Sequence, residues 1–244
     1  MEHIALDTVD STNDYALALW RKCPRPLRVT ARTQNAGVGR SGRPWLSPAG
    51  GVWMTIAWPL ADAMAAHLVP LIAGVVVRDI LEKQAGVRCW IKWPNDLLLA
   101  GKKIAGILCL AETQPPGVLL IGIGINAAFV ATELAGDLRQ PATTLLDEVG
   151  QSPEPAALAA AVADELATAL VRPDLPAELS RVARHLAWIN EAVTFTDYAG
   201  NLIAAGIFKG IDTQGRALVD AGGPWQALDA GEMHFQRAAK TPPR

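Results

Sequence analysis

The segment Thr33 to Trp45, TQNAGVGRSGRPW, places three glycines, two arginines and a proline just after the apolar run Leu27 to Ala31. Glycine lets backbone N–H groups come close to an anion, and Arg40 and Arg43 add permanent, forked positive charge. The chemistry this points to is phosphate handling. Gly37, Gly39 and Gly42 also spell G-x-G-x-x-G, the dinucleotide-binding pattern, but that turn has to open a helix. Pro44, Ser47-Pro48 and Gly50-Gly51 follow within a few residues, so the segment reads as a long loop. Taken alone, it could also be a surface loop with solvated arginines.

Lys92 is the second anomaly. It stands between Ile91 and Trp93 in a run that reads as a strand, Cys89 to Trp93. An ammonium held there needs a partner or a role, unless the side chain snorkels to the surface. Gly122, Gly124 and the terminal Asn126 in VLLIGIGIN mark either plain packing or the close approach of a ligand. Ser11-Thr12-Asn13 reads as a helix cap that could also hydrogen-bond a ligand at the mouth of a site. Cys23, Cys89 and Cys109 are an odd number without metal or C-x-x-C spacing, which suits a reducing compartment, and Cys109 reads as a packed core thiol. The four histidines are scattered without ligand spacing.

These residues need elements to position them. Ile4 to Val9 reads as a strand, followed by a helix from Ser11 or Thr12 to about Lys22 with Tyr15, Leu19 and Ala16 on its inner face. Leu27 to Ala31 leads into the glycine loop and Gly51 to Pro59 leads out of it, both as strands. His67 to Gln84 is apolar nearly all round for three turns and reads as a buried helix stopped by Gly86. Ala100-Gly101 reads as the turn of a hairpin whose second arm is Lys103 to Glu112, and Val118 to Asn126 as a further strand. Residues 127–153 are irregular apart from a helical piece near Leu145 to Val149. Two helices follow, Glu154 to Val171 and Leu175 to Ala187, the second with Leu179, Val182 and Leu186 on one face. From Ala192 the pattern changes to five short strand-like runs separated by AGN, DTQG, AGGP and DAGE, which predicts a small antiparallel barrel. The expected organisation is a main domain over 1–189, a small β domain over 190–237 and a polar tail over 238–244.

With 244 residues, 50% of them apolar, the chain can bury a substantial core. The formal net charge of −2 provides no bulk basic field for nucleic acid or a membrane surface. The N-terminus lacks a signal-peptide pattern and Leu68 to Val77 is too short to span a bilayer, so a cytoplasmic location is expected.

Four segments occur in a fixed order: Ser11-Thr12-Asn13; Gln34-x-Ala36-Gly37-x-Gly39-Arg40-x-Gly42-Arg43-x-Trp45; Lys92-Trp93-Pro94-Asn95-Asp96 with Lys102-Lys103-Ile104-Ala105-Gly106-Ile107-Leu108; and Gly122-Ile123-Gly124-Ile125-Asn126. This set resembles the biotin protein ligases over essentially the whole chain, and the KWPND and KKIAGIL pair is its most specific part. The resemblance implies an α+β fold: a mixed sheet flanked by helices, like the class II aminoacyl-tRNA synthetase core, followed by an SH3-like β-barrel. It also implies a two-step reaction. The biotin carboxylate attacks the α-phosphate of ATP, with Mg²⁺, giving biotinyl-5′-AMP and pyrophosphate; a lysine of a biotin carboxyl carrier protein then attacks the anhydride and AMP leaves. Bringing two anions together calls for positioning and charge stabilisation, which explains arginines, a lysine and glycine amides in place of a nucleophile and base.

Carried over by resemblance, Lys92 bridges the biotin carboxyl and the α-phosphate, and Arg40 faces the phosphates and closes over the intermediate. Ser11, Thr12, Asn13 and Gln34 surround the biotin rings, Gly122 and Gly124 leave room along its apolar wall, and Gly37, Val38, Gly39 and Gly106 complete that set. Arg43, Trp45 and Asn126 belong to the nucleotide side; Lys103, Asn95 and Asp96 are further candidates. No metal ligands are assigned from the protein. Two positions depart from the family pattern: Val38 stands where an arginine is usual, and Ser41 replaces a more variable basic residue. A lipoate-type ligase of the same fold, or a biotin-binding module that has lost turnover through Val38, are the rival readings. Only ten residues precede Ser11, leaving no room for the DNA-binding domain of some family members, so no operator binding is expected. Pairing into a homodimer through the sheet, with Val118 to Ile125 as an edge, is a further expectation.

Overall fold

The computed structural model describes residues 1–60, 65–134, 140–171 and 174–235. The expected polar tail lies outside them, as does Pro173, which by sequence stops the helix over Glu154 to Val171. In chain order the elements are β1 (Glu2–Val9), α1 (Thr12–Lys22), β2 (Leu27–Gln34), β3 (Val52–Pro59), α2 (Val69–Ala85), β4 (Trp90–Lys92), β5 (Asp96–Leu99), β6 (Lys102–Glu112) and β7 (Val118–Ile125). Then come α3 (Leu145–Val149), α4 (Pro155–Val171), α5 (Leu175–Ala183), β8 (Ala192–Thr196), β9 (Leu202–Ile211), β10 (Ala217–Asp220), β11 (Gln226–Leu228) and β12 (Glu232–Phe235).

Seven strands form one sheet in the order β1-β2-β3-β7-β6-β5-β4, with β1 and β2 parallel and the other neighbours antiparallel. Strand alternation explains how this sheet makes both a core and a site. On β7, Leu119, Ile121, Ile123 and Ile125 pack into the main core with α2 and α4, while Val118 and Leu120 turn to the opposite face and pack against Ala16 and Trp20 of α1. Further along that second face β7 carries only Gly122 and Gly124, beyond the cover of the α1 core. There Asn13 approaches the sheet over Gly122 and the Trp45 indole covers Gly124.

Three expectations about the main domain need correction. Tyr15 is exposed and the buried stripe of α1 is Thr12, Asn13, Ala16 and Trp20, so the inner face lies one residue further round than Tyr15 and Leu19 suggested. β7 is hydrogen-bonded on both sides and cannot serve as an edge; the edges are β1 and the three-residue β4. The second helix ends at Ala183, and Leu186 beyond it is buried beside Ile91 in a short parallel bridge. The other predicted elements are present within one to four residues at each end. Gly86 ends α2 in the left-handed conformation at φ 68°, as a glycine stop should.

The C-terminal five strands form an antiparallel sheet in the order β11-β10-β9-β8-β12, around buried Val193, Phe195, Phe208, Ala217, Val219 and Met233. Among the described residues its edge strands β11 and β12 are not paired with each other, so the sheet is not closed into a barrel. Among those residues, too, no helix is long and apolar enough to cross a membrane.

Candidate active site

Ser11 caps α1, its hydroxyl accepting from Asp14 N at 3.4 Å, and this delivers Thr12 and Asn13 to the open face of the sheet. All three are buried. Thr12 donates through its backbone N and its hydroxyl to Gln34 Oε1, at 2.9 and 3.0 Å. Gln34 Nε2 donates to Ser47 Oγ at 2.8 Å, and Thr55 Oγ1 lies 2.6 Å from Asn13 Oδ1 and 2.8 Å from Thr12 Oγ1. The result is a preorganised polar wall. The Ser-Thr-Asn segment therefore both caps the helix and lines the cavity, together with Gln34, Val38, Gly39, Arg40, Trp45, Asn95, Asp96, Lys103, Gly106, Gly122 and Gly124.

The glycine loop closes the open end as a small antiparallel fold. Gly39 N donates to Arg43 O at 2.7 Å, Trp45 N donates to Gly37 O at 2.8 Å, and Val38 pairs across with Pro44. Gly37 is required by this closure, since a Cβ there would lie 2.5 Å from Trp45 O. Its role is thus internal to the loop; it does not line the cavity. Trp45 lays its indole over Gly124 and Gly106, with its ring centroid 4.9 Å from Lys103 Nζ, in cation–π range. The space above Gly124 is accordingly taken by an indole whose buried Nε1 has no hydrogen-bond partner. A Cβ on Gly124 would sit 2.6–2.7 Å from three indole atoms. Gly124→Ala is expected to cost about 1–3 kcal/mol by overpacking, read as a lowered urea midpoint. The same penalty should vanish in a Trp45→Ala background, and its persistence there would mean that the indole is not the obstacle.

Arg40 is held from three sides. Nη1 donates to Asn95 Oδ1 at 2.9 Å, Nη2 donates to Tyr198 Oη at 2.6 Å and to Gly231 O at 3.3 Å, and the guanidinium lies 5.1 Å from the Tyr198 ring centroid. Asn95 is fastened in turn by donating Nδ2 to Ile107 O at 2.8 Å. Arg43 does not line the cavity of the polar wall; it forms an ion pair with Glu232 of β12. Both arginines of the loop are thus anchored on the C-terminal sheet.

Lys92 lines a second, smaller cavity that shares Arg40, Asn95 and Asp96 with the first and is completed by Gln140, Glu232 and His234. It is 8% exposed, so the snorkelling alternative does not hold. Nζ donates to Gln140 Oε1 at 2.5 Å and lies 5.7 Å from the Trp188 ring centroid. Gln140 Nε2 donates to Asp96 Oδ2 at 3.0 Å, and Lys103 Nζ meets Asp96 Oδ1 at 2.6 Å. Burial pulls the Lys92 ammonium below the ordinary lysine value, with Lys103 and Arg40 adding to the effect and Asp96 and Glu232 opposing it. Burial alone would raise the Asp96 carboxyl, but Lys103 and Lys92 beside it, with hydrogen bonds from Lys103 and Gln140, hold it below the usual range.

Asn126 does not reach either cavity. Buried at the end of β7, it donates Nδ2 to Thr143 O at 2.9 Å and fastens the segment after Pro141. Burial pushes the Cys89 thiol up to about 12 and the Cys109 thiol further up, so neither is a thiolate near neutral pH. Thr55, Ser47, Gln140, Tyr198 and Glu232 escaped sequence reasoning. Each is an ordinary polar residue in a strand, turn or loop, and its importance lies entirely in distant partners. The arrangement combines a polar wall, an apolar floor and a mouth with two lysines and an arginine, suited to binding an acid and joining it to a phosphate.

Residues 5–126 match the Biotin/lipoate A/B protein ligase family, and residues 188–235 match the Biotin protein ligase C terminal domain. The biotin--[acetyl-CoA-carboxylase] ligase of Paracoccus denitrificans is 34% identical over 94% of this chain and 99% of its own length. The bifunctional ligase/repressor BirA of Escherichia coli is 33% identical over 96% of this chain and 74% of its own. Among solved structures, the biotin protein ligase from Aquifex aeolicus in complex with biotin and ATP superposes with a TM-score of 0.78 at 24% identity, covering 97% of this chain and 99% of that one.

Proposed function

The chain belongs to the biotin/lipoate A/B protein ligase family, and from that premise we propose how its site performs the reaction. It is a biotin protein ligase that activates biotin with ATP to biotinyl-5′-AMP and transfers it to a lysine of a biotin carrier domain of acetyl-CoA carboxylase. Thr12, Asn13 and Gln34 supply the donors and acceptors that a ureido ring needs, and the Gly122 to Gly124 stretch with Trp45 forms the apolar side. Arg40, at the junction of the two cavities, and Lys92, in the second, bring the biotin carboxylate and the α-phosphate together and neutralise the charge that builds up between them. Arg43 exchanges Glu232 for phosphate when nucleotide binds. The single observation that carries this assignment is the sharing of Arg40, Asn95 and Asp96 by the biotin-type cavity and the Lys92 cavity.

Mg²⁺ enters this reading as the counter-ion of ATP. Among the described residues no group of three or more His, Cys, Asp or Glu side chains could hold a cation. Three unpaired thiols suit the reducing cytoplasm, where we place the reaction. Residues 1–189 carry activation and the sheet from 190 onward anchors the loop. A homodimer through the main sheet would use β1 or β4, and sedimentation with biotin and ATP present reads it.

Biotin-dependent pyrophosphate release from ATP tests the function. Turnover by the wild type that biotin supports and lipoate does not compete away is the expected result. Val38 is 43% exposed and holds its place by backbone pairing, so Val38→Arg is expected to speed release by less than about fivefold, the scale of an exposed charge contact. No release from the wild type together with release from Val38→Arg would replace the enzyme reading with that of a binding module.

A further inference from the structure

We propose that Gln140 is a positioning residue for the activation step: its carboxamide fixes the Lys92 ammonium and joins it to the Asp96 carboxylate. The proposal rests on the role given to Lys92 above. A carboxamide carries one acceptor and one donor group on the same plane, which is what a relay between a cation and an anion requires. Gln140 uses both, accepting from Lys92 at 2.5 Å and donating to Asp96 at 3.0 Å, while Asp96 holds Lys103 through its other oxygen. An ammonium buried as deeply as Lys92 loses a great deal if its acceptor is removed.

The backbone around Gln140 is built to keep it in place. Lys103 N donates to Pro141 O at 2.8 Å and Thr143 N donates to Lys103 O at 2.9 Å, so residues 141–143 run along β6 as an extra parallel bridge. Asn126 then secures Thr143 O from β7. Gln140 therefore emerges from a fastened stretch directly opposite Lys92, 48 residues away in sequence. The same arrangement gives Asn126 a purpose that direct contact with nucleotide does not.

The test is steady-state pyrophosphate release by the full chain across pH, with biotin and ATP varied separately. The charged groups facing Lys92 are Asp96, Lys103, Glu232 and Arg40, the titratable His234 lines the same cavity, and all stay unchanged in the variants. Gln140→Met is expected to lower kcat about ten- to a hundredfold, the worth of a hydrogen bond to a charged group, with each KM within about threefold. Its alkaline limb should move to lower pH, because the ammonium has lost its acceptor. Gln140→Glu keeps an acceptor, adds negative charge and should move the limb to higher pH; it carries the test alone if Gln140→Met does not fold. In a Lys92→Met background neither change should lower the rate further. Wild-type kcat and an unmoved limb in Gln140→Met, while Lys92→Met is inactive, would overturn this inference and leave the role of Lys92 standing. Full activity in Lys92→Met would overturn both. A rate loss in Gln140→Met that is the same with and without Lys92, and moves no limb, would reduce Gln140 to a structural part and overturn the proposal.

Discussion

Replacing Lys92 by methionine is expected to slow biotin-dependent pyrophosphate release by about 10²- to 10³-fold, equivalent to about 2.7–4 kcal/mol of transition-state stabilisation. The loss should fall on kcat, because the interaction of a fixed cation with the joined carboxylate and phosphate is made only as the two anions meet. Lys92→Arg should not restore the rate: the planar guanidinium cannot occupy the point between Gln140 Oε1 and the Trp188 ring that an ammonium fills. The pH dependence follows from the environment of the side chain. Burial lowers the ammonium below its ordinary 10.5, so wild-type activity should decline as pH rises through that lowered value, earlier than for an exposed lysine. Stability moves the other way. Between the lowered folded value and 10.5 the unfolded chain holds more protons than the native one, so stability rises with pH across that window. At pH 7 the buried charge opposes folding, and Lys92→Met should fold at least as stably as the wild type by urea titration. Loss of rate with full stability is thus the expected signature; retention of the rate would remove Lys92 from the mechanism.

The second large effect concerns Asp96. Its carboxylate faces Lys103 at 2.6 Å and reaches Lys92 through Gln140, in a setting where the Asp96 side chain is 12% exposed. Asp96→Asn removes the carboxylate that pairs with Lys103 and is the larger of the two negative influences on Lys92, the other being Glu232, and stranding a buried charge in this way typically costs about 3–5 kcal/mol. The urea midpoint at pH 7 should fall accordingly, and a second change, Lys103→Met, should recover part of the loss by removing one of the stranded cations. The sign with pH is fixed by the depressed carboxyl. The stabilisation from Asp96 is fully present above the ordinary carboxylate value of 3.8 and is lost as pH falls through the lower folded value, so the mutant should show less of this acid loss than the wild type. A midpoint shift worth less than about 1 kcal/mol at pH 7 would mean that solvent, not Asp96, balances the two lysines.

Much of this molecule is determined by short-range pattern. The short continuous apolar run Val118 to Ile125 specifies a strand buried on both faces, the αL glycine at 86 ends a helix, the Ala100-Gly101 pair turns a hairpin, and the order of four polar and glycine-rich segments places the chain in its family. Such signals have periods of two or 3.6 residues and survive without any knowledge of the rest of the chain. Tertiary structure alone decided the strand order, and with it that β7 is central and not an edge. It also decided which way the α1 stripe faces, because Ala16 and Trp20 fit beneath the sheet while Tyr15 does not. The same holds for the charged centre. Arg40 meets Tyr198 across 158 residues and Lys92 meets Gln140 across 48, while Arg43 turns to Glu232 and Asn126 to Thr143. A hydrogen bond between distant residues depends on where packing brings two backbones, and no local period encodes that. The sequence by itself therefore determines which chemistry this chain carries, whereas the packed structure determines which neighbours hold each charge at the work.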